Sequence, residues 1–249
     1  MIEINNLTKR YDKKVLFENI NLHFETGQVI ALLGKNGAGK TSLIHLILDL
    51  VKQDEGEILI METPHNTLRP SQKAKLGVVG EDLALIEALN AEEFLTFIGK
   101  IYQMPKATLA KRIQDLFAYF FEEGDDLKKS IGKYSTGMKK KIAFCAAVIH
   151  APDILILDEP FSGLDPLVAN QMIAFLEKYK REDRLILVSS HDLSYVEKIA
   201  THISVLDKGE FVFNSTLTDF TENGEKALDA ALLNLLKPNN SELTKLDWV

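Results

Sequence analysis

The residues with the plainest chemistry fall in one run, Gly34-Lys35-Asn36-Gly37-Ala38-Gly39-Lys40-Thr41-Ser42. Glycines let the backbone curl so that its N–H groups point inward, Lys40 supplies a point charge, and the Thr41 hydroxyl can reach a divalent cation. Together they suit a polyphosphate carried with Mg²⁺. The candidate nucleotide contacts are therefore Gly34, Lys35, Asn36, Gly37, Ala38, Gly39, Lys40, Thr41 and Ser42. A second run, Ile154-Leu155-Ile156-Leu157-Asp158-Glu159, delivers two adjacent carboxylates at the end of an apolar segment. Asp158 can hold Mg²⁺ through water, and Glu159 can take the proton of an attacking water as general base. The loop by itself leaves open whether the nucleotide is ATP or GTP and whether it is hydrolysed.

Both runs need a strand behind them. Apolar residues over 29–33 predict a strand entering the loop, and a helical pattern from Thr41 to about Leu50 leaves it with its positive dipole end at the phosphates. Continuous apolar runs over 154–157 and 185–188, separated by a helical pattern over 166–179, read as buried parallel strands with a helical crossover. Strands are also expected over 2–7, 16–24 and 57–60, with breaks at Glu25-Thr26-Gly27 and Asp54-Glu55-Gly56. From about Leu83 to His150 the pattern is helical, with Phe94, Phe97, Ile98 and Ile101 on one face and a second amphipathic stretch over 109–121. A tail over 225–236 sets Ala227, Leu228, Ala231, Leu232, Leu235 and Leu236 on one face before Pro238, and is expected to pack on its own domain, with a dimer or regulatory contact as the alternative.

Composition narrows the partners. The 249 residues are 46% hydrophobic and 26% charged, ample for a large core. A net charge of −7, with no basic arm, argues against nucleic acid. The single cysteine, Cys145, sits in an apolar run and reads as a small buried hydrophobe. A strand-like Ile2-Glu3-Ile4 directly after Met1 makes a signal peptide unexpected. No run reaches the roughly 20 apolar residues of a spanning helix. If this chain serves a membrane, another chain crosses it.

Taken together, these motifs resemble, in order and spacing, the ATP-binding subunits of ABC transporters, over residues 2 to about 220. The resemblance implies an α/β fold: a P-loop NTPase core with a mainly parallel sheet, an N-terminal antiparallel β subdomain and a helical subdomain. It implies an ATPase domain over 1–220, with the helical subdomain inserted at about 83–150, and a C-terminal helical extension over 221–249. Tyr11 stands where the family stacks an aromatic on adenine. Tyr134-Ser135-Thr136-Gly137-Met138 looks like the family's signature loop, matching at Ser135 and Gly137 and departing elsewhere. That loop contacts the γ-phosphate held by the opposite subunit. Asp165, in Phe161-Ser162-Gly163-Leu164-Asp165, matches the interface loop that communicates between sites, and His191 matches the switch histidine. The family's metal-sensing glutamine aligns with Glu81, a carboxylate in place of an amide. The segment after Glu81, with Leu83, Leu85, Ile86 and Leu89, is where the family docks a coupling helix of its membrane partner. Lys139, Lys140 and Lys141 read as a solvated face with no phosphate contact.

The implied protein is an ATP hydrolase using Mg²⁺, paired with a second ATPase subunit and an integral membrane permease, cytoplasmic and peripheral on the inner face of the cell membrane. Glu81 together with the Tyr-Ser-x-Gly-Met signature resembles the branch with ABC-2 type permeases, often exporters. Two alternatives stay open: a soluble ABC-type ATPase acting in assembly or regulation, and a regulatory module that binds ATP without hydrolysing it.

Overall fold

The computed structural model describes residues 1–12, 14–122 and 124–236. Two sheets and nine α-helices are formed among these residues. The strands are β1 (Ile2–Tyr11), β2 (Lys14–Phe24), β3 (Val29–Leu33), β4 (Glu55–Ile60), β5 (Thr63–Pro64), β6 (Leu76–Val79), β7 (Ile154–Asp158), β8 (Leu185–Ser189), β9 (His202–Asp207) and β10 (Glu210–Thr216). The helices are α1 (Lys40–Ile47), α2 (Pro70–Lys73), α3 (Ala91–Ile101), α4 (Lys106–Phe120), α5 (Thr136–Val148), α6 (Pro166–Tyr179), α7 (Leu193–Ile199), α8 (Leu217–Phe220) and α9 (Leu228–Leu236).

The first sheet has the order β2-β1-β4-β5 and is antiparallel throughout. The second has the order β10-β9-β3-β8-β7-β6, parallel except for β10. Its central strands β3, β7 and β8 are buried at every position, which is why they read as unbroken apolar runs. Alternate residues serve opposite cores: Ile154 and Ile156 face the first sheet and α1, while Leu155 and Leu157 face the helices. Each such residue, fully buried, contributes about 1.5–3 kcal/mol. On the helical side Phe120, Phe144 and Phe175 meet with ring centroids 5.4–5.5 Å apart, joining α4, α5 and α6. Cys145 is buried in this core, which pushes its thiol pKa far up and leaves it inert.

Two expected boundaries need correction, and one hairpin is added. The helical pattern does not begin at Leu83: residues 81–90 are a non-helical connection whose Leu83, Leu85 and Leu89 still pack on the helical core. The helix waits for Asn90, which accepts from Glu93 N (3.0 Å) while Glu93 Oε2 accepts from Asn90 N (2.9 Å), a reciprocal cap. The break expected at Asp54-Glu55-Gly56 is confined to Asp54, a bend, because Glu55 already pairs with Thr8 in β4. The hairpin β9–β10, turned at Lys208-Gly209, has no counterpart in the sequence reading. Helix α9 does pack on its own chain through Leu228, Ala231, Leu232 and Leu236, but Leu235 is exposed. Pro238 and the rest of the tail lie outside the described residues.

Candidate active site

Parallel strands end on the same edge of a sheet, and there the chain gathers its reactive groups. The 34–39 loop leaves β3, Glu81 follows β6, Glu159 follows β7, and His191 follows β8. The loop needs its glycines for space as much as for φ. A Cβ on Gly34 would stand 2.4 Å from Leu206 O, and one on Gly39 (φ 111°) 2.9 Å from Phe17 Cζ. Gly39 also caps α1, so the first N–H groups of that helix face the loop. Lys40 is buried and donates from Nζ to Gly34 O (3.0 Å), closing the loop on itself.

A cleft of about 450 Å³ opens over this edge, lined by Asn36, Gly37, Gly39, Lys40, Thr41, Ser42, Glu81 and Glu159, with Leu16, Lys140, Ser162 and His191 completing it. Within it Glu159 Oε1 lies 3.8 Å from Lys40 Nζ, and Glu159 Oε2 accepts from His191 Nδ1 at 2.7 Å. An ionised carboxylate offers only lone pairs, so the ring nitrogen at that contact is the donor. Glu159 itself has φ 47°, the left-handed region that costs a residue with a Cβ roughly 1–2 kcal/mol. Its N–H is shared between Ser189 O (3.2 Å) and Ser189 Oγ (3.0 Å). The same hydroxyl donates to Asp158 Oδ1 at 2.5 Å, so one buried serine on β8 sets both carboxyl residues.

Asp158 has a second carboxyl oxygen, Oδ2, that is buried without a hydrogen-bond partner. A buried carboxylate oxygen left unpaired is costly, and a hydrated cation beside it removes the cost. Among the described residues no three His, Cys, Asp or Glu side chains converge as a metal cage. The donors present thus suit Mg²⁺, which keeps waters and substrate phosphates in most of its coordination positions. Thr41 and Asp158 would hold it; both line the groove beside the cleft, and Glu81, like Thr41, lines both spaces.

Other sequence candidates stand apart from the cleft. Ser135 caps α5, accepting from Met138 N (3.3 Å), and is exposed with Gly137 beside it. Asp165 caps α6, accepting from Leu167 N (2.8 Å), and also faces outward. Tyr11, at the end of β1, is 46% exposed with Lys9 Nζ 5.0 Å from its ring centre. Lys35 and Ala38 line a neighbouring cavity with Lys14, Asp207 and Lys208. Three residues at the site were given no role from sequence: Leu16, Ser189 and Lys140. Leu16 looked like any apolar strand residue, Ser189 is legible only through its two contacts, and Lys140 was hidden in a basic run.

An ABC transporter family model matches residues 17–162. The chain is 31% identical over 229 residues to the ABC transporter ATP-binding protein NatA of Bacillus subtilis, covering 90% of this chain and 92% of that one. It is 30% identical to the lantibiotic transport ATP-binding protein SrtF of Streptococcus pyogenes, covering 94% and 98%. It is 32% identical to the linearmycin resistance ATP-binding protein LnrL of Bacillus subtilis, covering 88% and 70%. A solved structure of an ATP-binding subunit of an ABC transporter superposes with TM-score 0.86 at 28% identity, over 95% of this chain and all of that one. A dimeric ATP-binding cassette in a post-hydrolysis state, bound to ADP and phosphate, superposes with TM-score 0.77 at 25% identity, over 87% and 99%.

Proposed function

The chain belongs to the ABC transporter family as an ATP-binding, ATP-hydrolysing subunit, and from that premise we propose that it drives a separate ABC-2 type permease, as an exporter, from the inner face of the cell membrane. The observation that carries the permease reading is an apolar groove of about 510 Å³ beside the nucleotide cleft. Ile44, Leu48, Val78, Leu83, Phe94 and Ile98 line it, and Leu50 at its margin is 67% exposed. Thr41 and Glu81 line both the groove and the cleft, so an occupant of one bears on the residues of the other. A short amphipathic helix of the permease is the occupant that suits such a groove. No helix among the described residues is long and apolar enough to cross a membrane, and the crossing falls to that partner. Relatives named for lantibiotic transport and linearmycin resistance support the export direction.

In the proposed cycle two copies, or this chain and a homologue, enclose two ATP molecules. The 34–41 loop of one chain holds the triphosphate, Tyr11 stacks on adenine, and Ser135 and Gly137 of the other chain reach the γ-phosphate with Asp165 at the interface. The outward-facing caps of α5 and α6 suit contacts made across such an interface. Thr41 and Asp158 would hold Mg²⁺, which would supply positive charge to offset that developing on the phosphate oxygens. Water attacks the γ-phosphorus, Glu159 takes its proton, the bond to the bridging oxygen breaks, and ADP leaves with that electron pair. His191 holds Glu159 in place for the transfer.

Two measurements test this reading. Purification of the chain from native membranes in mild detergent should bring a stoichiometric multi-spanning protein. Only soluble companions would move the assignment to the soluble ATPase. Leu50→Glu, which puts a charge in the apolar groove, should lower the membrane-bound fraction about tenfold while isolated ATPase activity stays within about twofold. Retention at wild-type levels would remove the groove from the interface. Separately, Glu81→Gln should leave ATP affinity within about twofold and shift the Mg²⁺ dependence of hydrolysis or the permease-stimulated rate. No change in either would leave Glu81 an idle surface carboxylate.

A further inference from the structure

The run Lys139-Lys140-Lys141 is not a solvated face. Lys139 Nζ pairs with Glu87 Oε1 (2.6 Å) at the surface, and Lys141 is buried and donates to Phe120 O (2.9 Å). Lys140, between them on α5, turns instead into the nucleotide cleft. Its ammonium donates to Glu159 O (3.3 Å) and, in a short contact, to Ser162 O. Those carbonyls bracket the turn between the catalytic carboxylate and the interface loop.

Glu159 occupies a backbone conformation that persists only where its surroundings over-determine it. Ser189 holds the N–H side of that residue and Lys140 holds the carbonyl side. Charge adds to the geometry. Burial pulls the Lys140 pKa below the ordinary lysine range, while Glu159 and then Glu81 pull it upward. Glu81 and Lys140 thus line the same cleft as opposite charges, without a direct ion pair between them.

We propose that Lys140 is a positioning residue of the ATP site: it clamps the Glu159 and Ser162 carbonyls, holds the general base in its left-handed conformation, and offsets the charge of Glu81. Because Lys140 lies on the helix that Ser135 opens, it also ties the signature end of α5 to the base within the same chain. The inference rests on Glu159 being the base.

The test uses the full chain with steady-state phosphate release and, separately, binding of a fluorescent ATP analogue. Lys140→Met should lower kcat about tenfold, with the Kd of the analogue within about twofold. Lys140→Arg, which keeps charge and donors, should retain at least about half of kcat. Lys140→Met combined with Glu81→Gln should lose less than the product of the single losses. A kcat within about twofold of wild type for Lys140→Met, or an equal loss in Lys140→Arg, overturns the proposal. So does a weakened Kd at unchanged kcat, which would make Lys140 a nucleotide contact. A loss that tracks a lowered thermal midpoint and vanishes in the cold also overturns it, as a general stability effect. Glu159→Gln run alongside separates the two ideas. If it is inactive while Lys140→Met is active, the clamp alone fails; if it hydrolyses ATP normally, the base itself is misassigned.

Discussion

Glu159→Gln is expected to lower kcat for ATP hydrolysis by about 10²–10⁴-fold, the contribution of a positioned general base. ATP binding should persist. Glutamine is nearly isosteric, and its carbonyl oxygen can still accept from His191 Nδ1, which now meets Glu159 Oε2 at 2.7 Å. What glutamine cannot do is take a proton from water. Removing the negative charge also relieves repulsion with the γ-phosphate, so the ATP-bound dimer should accumulate. Single-turnover phosphate release and light scattering with and without ATP measure the two effects. Near-normal hydrolysis in this variant would sink Glu159 as the base, and normal loss of the dimer after ATP addition would sink the cycle built on it.

Lys40→Met is the second large effect, and it falls on binding. The Lys40 amine is buried, with Gly34 O at 3.0 Å and Glu159 Oε1 at 3.8 Å. Methionine keeps most of the stem and its packing but loses a charge-assisted contact to phosphate, worth about 1.5–3 kcal/mol. That corresponds to an ATP Kd weakened by about 10- to 150-fold. The folded chain should survive, since one neutral buried side chain replaces a charged one whose desolvation was itself costly. Calorimetric titration of ATP and a thermal melt check both halves. Unchanged affinity would mean that the inward N–H groups of the loop carry the phosphate without Lys40.

Much of the architecture was readable because buried parallel strands leave an unmistakable mark. The runs over 29–33, 154–157 and 185–188 are apolar at every position, and all three are central strands. The edge hairpin β9–β10 escaped because Ser204 interrupts the apolar run of β9, where its hydroxyl donates to Asn214 Oδ1. The helix expected from Leu83 starts at Asn90, because apolar spacing says that residues pack but not that they do so as a helix. Leu83, Leu85 and Leu89 reach the same core from a non-helical connection.

By itself, the sequence supplied the candidate reactive groups: a glycine-rich loop with Lys40 and Thr41, and the pair Asp158-Glu159 at the end of an apolar strand. These are local, since each depends on neighbours in the chain. Only the tertiary structure decided how the groups are held. Ser189 reaches Asp158 and Glu159 from 31 and 30 residues away across a strand pair, Lys140 turns away from its two lysine neighbours, and Thr41 and Glu81 line both the groove and the cleft. The reason is physical. A side chain's type is written in the chain, but which carbonyl or carboxylate it meets is set by strand order and helix packing, where residues remote in sequence first become neighbours.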